Sequence, residues 1–150
     1  MIKGMNVHFI CRGNILRSLV AETYLKSLKL KSVNVTSSGT NVNWDDETER
    51  KYFSNTLRLL NSHGIEAHVK DLPEQLTQLR TDDKNITVCM NQRVIDEAEA
   101  IVKLPKDVIN WNIVDIGEGY RIVEDDKELY LEEIYKEITD EVDKLVKTII

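Results

Sequence analysis

Val7-His8-Phe9-Ile10-Cys11-Arg12-Gly13-Asn14-Ile15-Leu16-Arg17-Ser18 is the stretch on which the reading of this chain turns. Residues 7–10 form a compact, mostly apolar run, the pattern of a strand covered on both faces. Beyond the stretch, Val20, Ala21, Tyr24, Leu25 and Leu28 recur at helical spacing. Between strand and helix lies a loop of the form cysteine, five residues, arginine, serine. Gly13 and Asn14 tolerate left-handed backbone angles, so the loop can curl until its N–H groups converge on one point. Such a nest, backed by the positive end of the following helix, binds a phosphate-sized anion.

The side chains of the loop suit that ligand. Converging N–H groups and the Arg17 guanidinium favour the thiolate of Cys11, the nucleophilic form. A Ser18 hydroxyl can stabilise the same sulfur. The planar fork of Arg17 can grip two phosphoryl oxygens at once. Cys11 is thus the candidate nucleophile and Arg17 the candidate phosphate-binding cation. Arg12, Gly13, Asn14, Ile15, Leu16 and Ser18 complete the expected cradle. Arg12 either adds positive charge at the rim or lies solvated.

Outward from the loop the alternation continues. Val33-Asn34-Val35-Thr36 is rich in β-branched residues. Phe53, Thr56, Leu57 and Leu60 predict a helix closed at His63-Gly64. Ile86-Thr87-Val88-Cys89-Met90 reads as a third strand, Val94, Ala98 and Ile101 as a helix, and residues 108–114 as a fourth strand. Leu131, Ile134, Ile138, Val142, Leu145 and Ile149 define the apolar face of a last helix. Its acid-before-base pairs, Glu132/Lys136, Asp140/Lys144 and Asp143/Lys147, suit an exposed, solvated face. Strand-helix alternation implies an α/β fold: a parallel sheet with helices on both faces, ligands binding beyond the carboxyl ends of the strands. That is where Cys11 falls.

Bulk properties bound the rest. At 150 residues the chain is expected to be one domain, residues 1–150, able to bury a core without disulfide or metal staples. No apolar run reaches the roughly 18 residues of a membrane span. The start of the chain lacks a secretory pattern and reads directly into a strand. Two cysteines make no disulfide framework, so a cytoplasmic protein is expected. A net charge of -6 argues against nucleic acid as a partner. Twelve acidic residues against five basic ones lie from Asp115 onward, leaving the remainder close to neutral and open to an anionic substrate.

At these residues the chain resembles the low-molecular-weight protein tyrosine phosphatase family. That family's loop is Cys-X5-Arg-Ser, usually with Gly and Asn at the places of Gly13 and Asn14. Ala21-Glu22 and Gly64-Ile65 match further family elements, as does Cys89-Met90 at a strand end. Ser38-Gly39-Thr40 resembles the family's Ser-Ala-Gly-Thr, with Ser38 for the alanine. The resemblance implies a four-stranded parallel sheet, phosphomonoester hydrolysis through a phosphocysteine, and no metal or organic cofactor. The family draws its proton donor from an aspartate, normally followed by proline, after the fourth strand. Asp115 occupies that place, with Glu118 the alternative. Ile116 instead of proline, beside Gly117 and Gly119, implies a more mobile acid.

Trp44 lies where the family takes an aromatic pocket wall, and Tyr120 is a second candidate; core burial is the competing reading for each. Such a slot suits a phenyl phosphate ester, so phosphotyrosine protein or a small aryl phosphate is the expected substrate. Ile15 matches the tyrosine phosphatase branch, since related protein-arginine phosphatases tend to have threonine there. Leu19 and Asn91 stand where proline and aspartate are common. Leu16 replaces a cysteine that many members use for a protective disulfide, which leaves oxidised Cys11 to an external thiol or to Cys89. Cys89 itself reads first as a buried strand residue. His8 reads as a satisfied strand histidine, His63 as a helix-end residue and His68 as a surface one. An arsenate reductase, which shares the fold and loop but normally needs two further cysteines, is the alternative function. A low-activity phosphate-binding module is the other.

Overall fold

The computed structural model describes residues 4–81, 86–122 and 127–149. Residues 1–3, where the sequence was expected to lead into the first strand, lie outside them. The chain runs β1 (Met5–Cys11), α1 (Arg17–Ser27), β2 (Val33–Gly39), α2 (Glu47–Ser62) and a 3-10 turn at Glu66–His68. It continues through α3 (Gln78–Thr81), β3 (Ile86–Cys89), α4 (Gln92–Glu99), β4 (Ile109–Asn110) and α5 (Lys127–Ile149).

The four strands form one parallel sheet in the order β2-β1-β3-β4. From β1 the chain builds outward to β2, then returns to add β3 and β4 on the other side. Right-handed crossovers in opposite directions put α1 and α4 on opposite faces. The reversal makes the carboxyl end of β1 a topological switch point, and Cys11 is the last residue of β1. Val7, Phe9 and Ile10 are fully buried, as a strand covered on both faces requires. His8 is buried with them and is satisfied by β2, Nδ1 lying 2.6 Å from Thr36 Oγ1 and Nε2 2.8 Å from Ser38 Oγ.

Helix α2 starts where Asp46 accepts from the Thr48 N–H at 2.8 Å. It closes at His63-Gly64 as expected: the Gly64 N–H donates to Asn61 O at 3.0 Å and Ile65 N–H to Leu60 O at 3.0 Å. That pairing is a Schellman closure, with Gly64 at φ 75°.

Three expectations are corrected. The fourth strand is regular only over Ile109–Asn110 rather than 108–114; Trp111 and Ile113 still donate to Cys89 O and Met90 O, but Asn112 at φ 57° interrupts the extended backbone between them. Ile101 lies beyond α4 and is half exposed. The acidic face of α5 is not merely solvated. Lys136 pairs with Asp140 at 2.8 Å and Lys144 with Glu141 at 3.3 Å. Other carboxylates reach across: Glu132 to His63 at 2.9 Å, Asp143 to the Tyr24 hydroxyl at 2.8 Å, and Glu137 to Arg121. Ile134, Ile138 and Val142 meanwhile anchor the helix in the core with no exposed surface.

Candidate active site

Residues 12–16 leave the end of β1 and curl into the start of α1. Asn14 sits at φ 55°, the left-handed geometry that its residue type allowed. Its N–H donates to Cys11 Sγ at 3.2 Å. The end of β2 backs the loop closely, and a Cβ on Gly39 would lie 2.5 Å from Arg12 O and 2.9 Å from Asn14 N. Only glycine fits that approach.

A buried hydrogen-bond chain sets the polarity beneath the sulfur. The Asn14 amide donates to Ser18 Oγ at 2.7 Å and to Ser37 Oγ at 2.9 Å, and its Oδ1 accepts from the Glu74 N–H at 2.9 Å. Ser37 donates to the Glu22 carboxylate, and Ser18 Oγ lies 2.8 Å from Cys11 Sγ, within reach to donate once the sulfur is a thiolate. Lys70 reaches in from the far side, donating to Ser37 O at 2.8 Å. Its burial pushes its pKa down, against the pull of Glu22 and Glu74.

Arg17 opens α1 with its side chain 1% exposed. Nη1 donates to Ile113 O at 3.0 Å and Nη2 to Asp115 Oδ2 at 3.3 Å. The acid candidate, 98 residues along the chain, therefore stands directly over the phosphate loop. Asp115 Oδ1 accepts from the Ile116 N–H at 2.8 Å, and Asp115's own N–H donates to Glu118 Oε1 at 3.0 Å. Glu118 also accepts from Asn91 and Arg93. Burial pushes its carboxyl up, but the Asp115 N–H, the Arg17 charge and these donors outweigh that and hold it below the usual range. Glu118 is thus committed to holding Asp115.

These groups border a cleft of about 490 Å³, within the size range of small-ligand sites. A thiol that accepts a backbone N–H, a buried guanidinium and a carboxylate thus stand together at one anion-sized loop. A family model described as low molecular weight phosphotyrosine protein phosphatase matches residues 6–150. The chain belongs to that family. Solved members of similar fold include the Streptococcus pyogenes phosphatase SP-PTP, at 16% identity and TM-score 0.71 over 97% of this chain and 93% of that one. VcLMWPTP-2 of Vibrio cholerae matches at 20% identity and TM-score 0.71, covering 97% and 96%. A thioredoxin-dependent arsenate reductase of Corynebacterium glutamicum also shares the fold, at 23% identity and TM-score 0.66. That match covers 98% of this chain but 62% of the reductase. Comparison with curated protein sequences finds no match.

Against this family's pattern, the wall of the cleft is the main surprise. Arg12, Gly13, Ile15 and Leu16 line it with Cys11 and Arg17, while Asn14 and Ser18 lie buried beneath. Neither Trp44 nor Tyr120 borders it. Trp44 packs edge-on against Phe53, centroids 5.2 Å apart, because α2 turns its apolar side to the core. Tyr120 is 59% exposed beside Tyr130. The aromatic wall is Tyr52 instead, accompanied by Asp46 and Glu49. Glu49, Tyr52 and Thr56 fall at helical spacing on one face of α2, a stripe visible in the sequence once the loop is recognised. Thr56 Oγ1 donates to Ile15 O at 2.5 Å, tying that face to the loop.

Two further points bear on the expected site. In the acid loop Ile116 supplies an N–H that proline lacks, and Asp115 Oδ1 accepts it. Gly117 and Gly119 take φ 91° and 52°, the angles that a tight turn needs. Arg12 is neither free nor simply solvated, for it pairs with Glu97 at 3.1 Å, which also accepts from Thr40 at 2.8 Å.

Proposed function

We propose that the protein is a cysteine-dependent phosphomonoesterase acting on phosphotyrosine in proteins or on small aryl phosphates. Cys11 Sγ attacks phosphorus, forming the S–P bond as the bond to the leaving oxygen breaks. Asp115 gives that oxygen its proton, and the Arg17 fork with the loop N–H groups holds the equatorial oxygens. Water then attacks the phosphocysteine, Asp115 takes its proton, and phosphate leaves while Ser18 steadies the departing sulfur. The observation that carries this reading is the 3.3 Å bond between the buried Arg17 and Asp115, which brings the acid to the loop that begins at Cys11.

A family phosphatase model and phosphatase neighbours support the chemistry. The reductase reading needs a relay thiol, and Cys89 is poorly placed to be one. Cys89 pairs with Ile10 across the sheet, and side-chain alternation puts Ile10 and Cys11 on opposite faces of β1. A cytoplasmic location fits two free cysteines.

Purified protein assayed on p-nitrophenyl phosphate, a phosphotyrosine peptide, a phosphoarginine peptide and arsenate with thiol reductant tests the proposal. Cys11→Ser should abolish hydrolysis, and Asp115→Asn should lower kcat by about 10²-fold or more. Hydrolysis surviving in Cys11→Ser, or thiol-dependent arsenate turnover without hydrolysis, would refute it.

A further inference from the structure

Arg121 is charged yet has no exposed surface, and no step above uses it. Burying a guanidinium is costly unless it is paired and hydrogen-bonded, so its surroundings show what it holds. Nη1 donates to Val114 O, the carbonyl immediately before Asp115. Nη2 donates to the Glu137 carboxylate, Nη1 lies 3.4 Å from Glu137 Oε1, and Glu133 stands 3.7 Å away. The backbone closes the same loop, with Gly117 N–H to Arg121 O at 2.6 Å and Arg121 N–H to Glu118 O at 2.9 Å. From α5 the Tyr130 hydroxyl donates to Tyr120 O at 3.1 Å. Tyr130, Glu133 and Glu137 are spaced three and four apart, one face of α5 turned to the acid loop.

We propose that Arg121 is the positioning residue for the proton donor, clamping the Val114 carbonyl to Glu137 so that Asp115 is fixed over the phosphate loop. The assignment rests on the phosphatase reading. It follows from the geometry because the Val114 carbonyl and the Asp115 nitrogen share one rigid peptide plane. Fixing the carbonyl therefore fixes the origin of the Asp115 side chain. Glu118 grips the other side of that peptide through its N–H at 3.0 Å. The acid is held at both polar atoms of a single peptide group. This clamp does for the loop what a ring-locked residue after the aspartate would do, through α5 rather than locally.

Arg121 acts through Asp115, so its loss should resemble a partial loss of the acid. An ester with a poor leaving group needs the proton, whereas 2,4-dinitrophenyl phosphate does not. The experiment measures kcat/KM, which reports the phosphorylation step, for 2,4-dinitrophenyl, p-nitrophenyl and phenyl phosphate. Arg121→Gln and Arg121→Lys are compared with Asp115→Asn. The expected result is a fall of about tenfold to a hundredfold on phenyl phosphate and little change on the dinitrophenyl ester. Lysine should not rescue, since a point charge cannot bridge carbonyl and carboxylate together. In the Asp115→Asn background, removing Arg121 should cost nothing further on phenyl phosphate. Should Arg121→Gln fail to fold, the paired Arg121→Met/Glu137→Leu replacement keeps the volume apolar and should show the same leaving-group dependence. Equal losses on all three esters, or full additivity with Asp115→Asn, would overturn the assignment. Absence of Cys11-dependent hydrolysis in the parent would overturn the phosphatase reading and this assignment together.

Discussion

A glycine decides how closely the loop and the sheet can meet. Gly39 pairs with Cys11 in register, and its missing side chain is the space that Arg12 and Asn14 backbone atoms occupy. Adding one methyl group puts a carbon 2.5 Å from a carbonyl oxygen, so backbone must move rather than a side chain. Gly39→Ala should destabilise the fold by about 1–3 kcal/mol and lower kcat/KM on p-nitrophenyl phosphate by about tenfold or more. Denaturant unfolding and steady-state kinetics measure the two effects, and a variant matching the parent in both would disprove the close approach. The same residue shows what sequence can and cannot reveal at this scale. Cys11, Arg17 and Ser18 were legible because their chemistry is local to one loop. Gly39 was visible only as part of a matched element, since its reason is a neighbour in space.

Helix α2 carries the acidic side of the cleft. Glu49 overhangs the loop, its Oε1 3.2 Å from where a Gly13 Cβ would stand. Burial pushes the Glu49 carboxyl above its ordinary range, and Asp46 and Asp115 push it the same way, against Arg12. A raised carboxyl disfavours the fold once it is ionised, and the penalty is relieved as pH falls through the folded-state pKa. Glu49→Gln should therefore melt higher than the parent at neutral pH, with the difference shrinking toward acid. The same charge disfavours acidic substrate flanks. Glu49→Gln should raise kcat/KM on an acid-flanked phosphotyrosine peptide relative to an arginine-flanked one by roughly two- to fivefold, an effect that salt compresses. A flank preference unmoved by the substitution would remove Glu49 from recognition. Elements with strong periodicity, α2 and α5, were legible from apolar spacing alone. The fourth strand was over-extended because a single left-handed Asn112 outweighs a run of β-branched neighbours. The α5 carboxylates read as solvated because their partners, Tyr24, His63 and Arg121, lie far away in sequence.

At the scale of the whole molecule the two thiols are separated by burial. Cys11 is only 3% exposed yet borders the cleft, while Cys89 has no exposed surface. Burial above all, with Glu99 and Cys11 adding to it, pushes the Cys89 thiol up to about 12. At pH 8 only roughly one Cys89 in ten thousand is then thiolate, the form that reacts. Cys89 also sits on β3 between β1 and β4, where access requires the sheet to open. Iodoacetate should thus label one cysteine in the native protein, Cys11, and inorganic phosphate in the cleft should slow that labelling. Labelling of Cys89 should appear only as denaturant unfolds the chain, tracking global stability rather than local fraying. Mass spectrometry of peptides along a denaturant series reads both. Cys89 reacting in native buffer at a rate near that of Cys11 would mean that the central sheet opens readily. It would also return Cys89 to consideration as a partner for oxidised Cys11. If Cys89 stays silent, oxidised Cys11 must be recovered by a thiol from outside the chain, since Leu16 offers none within the loop.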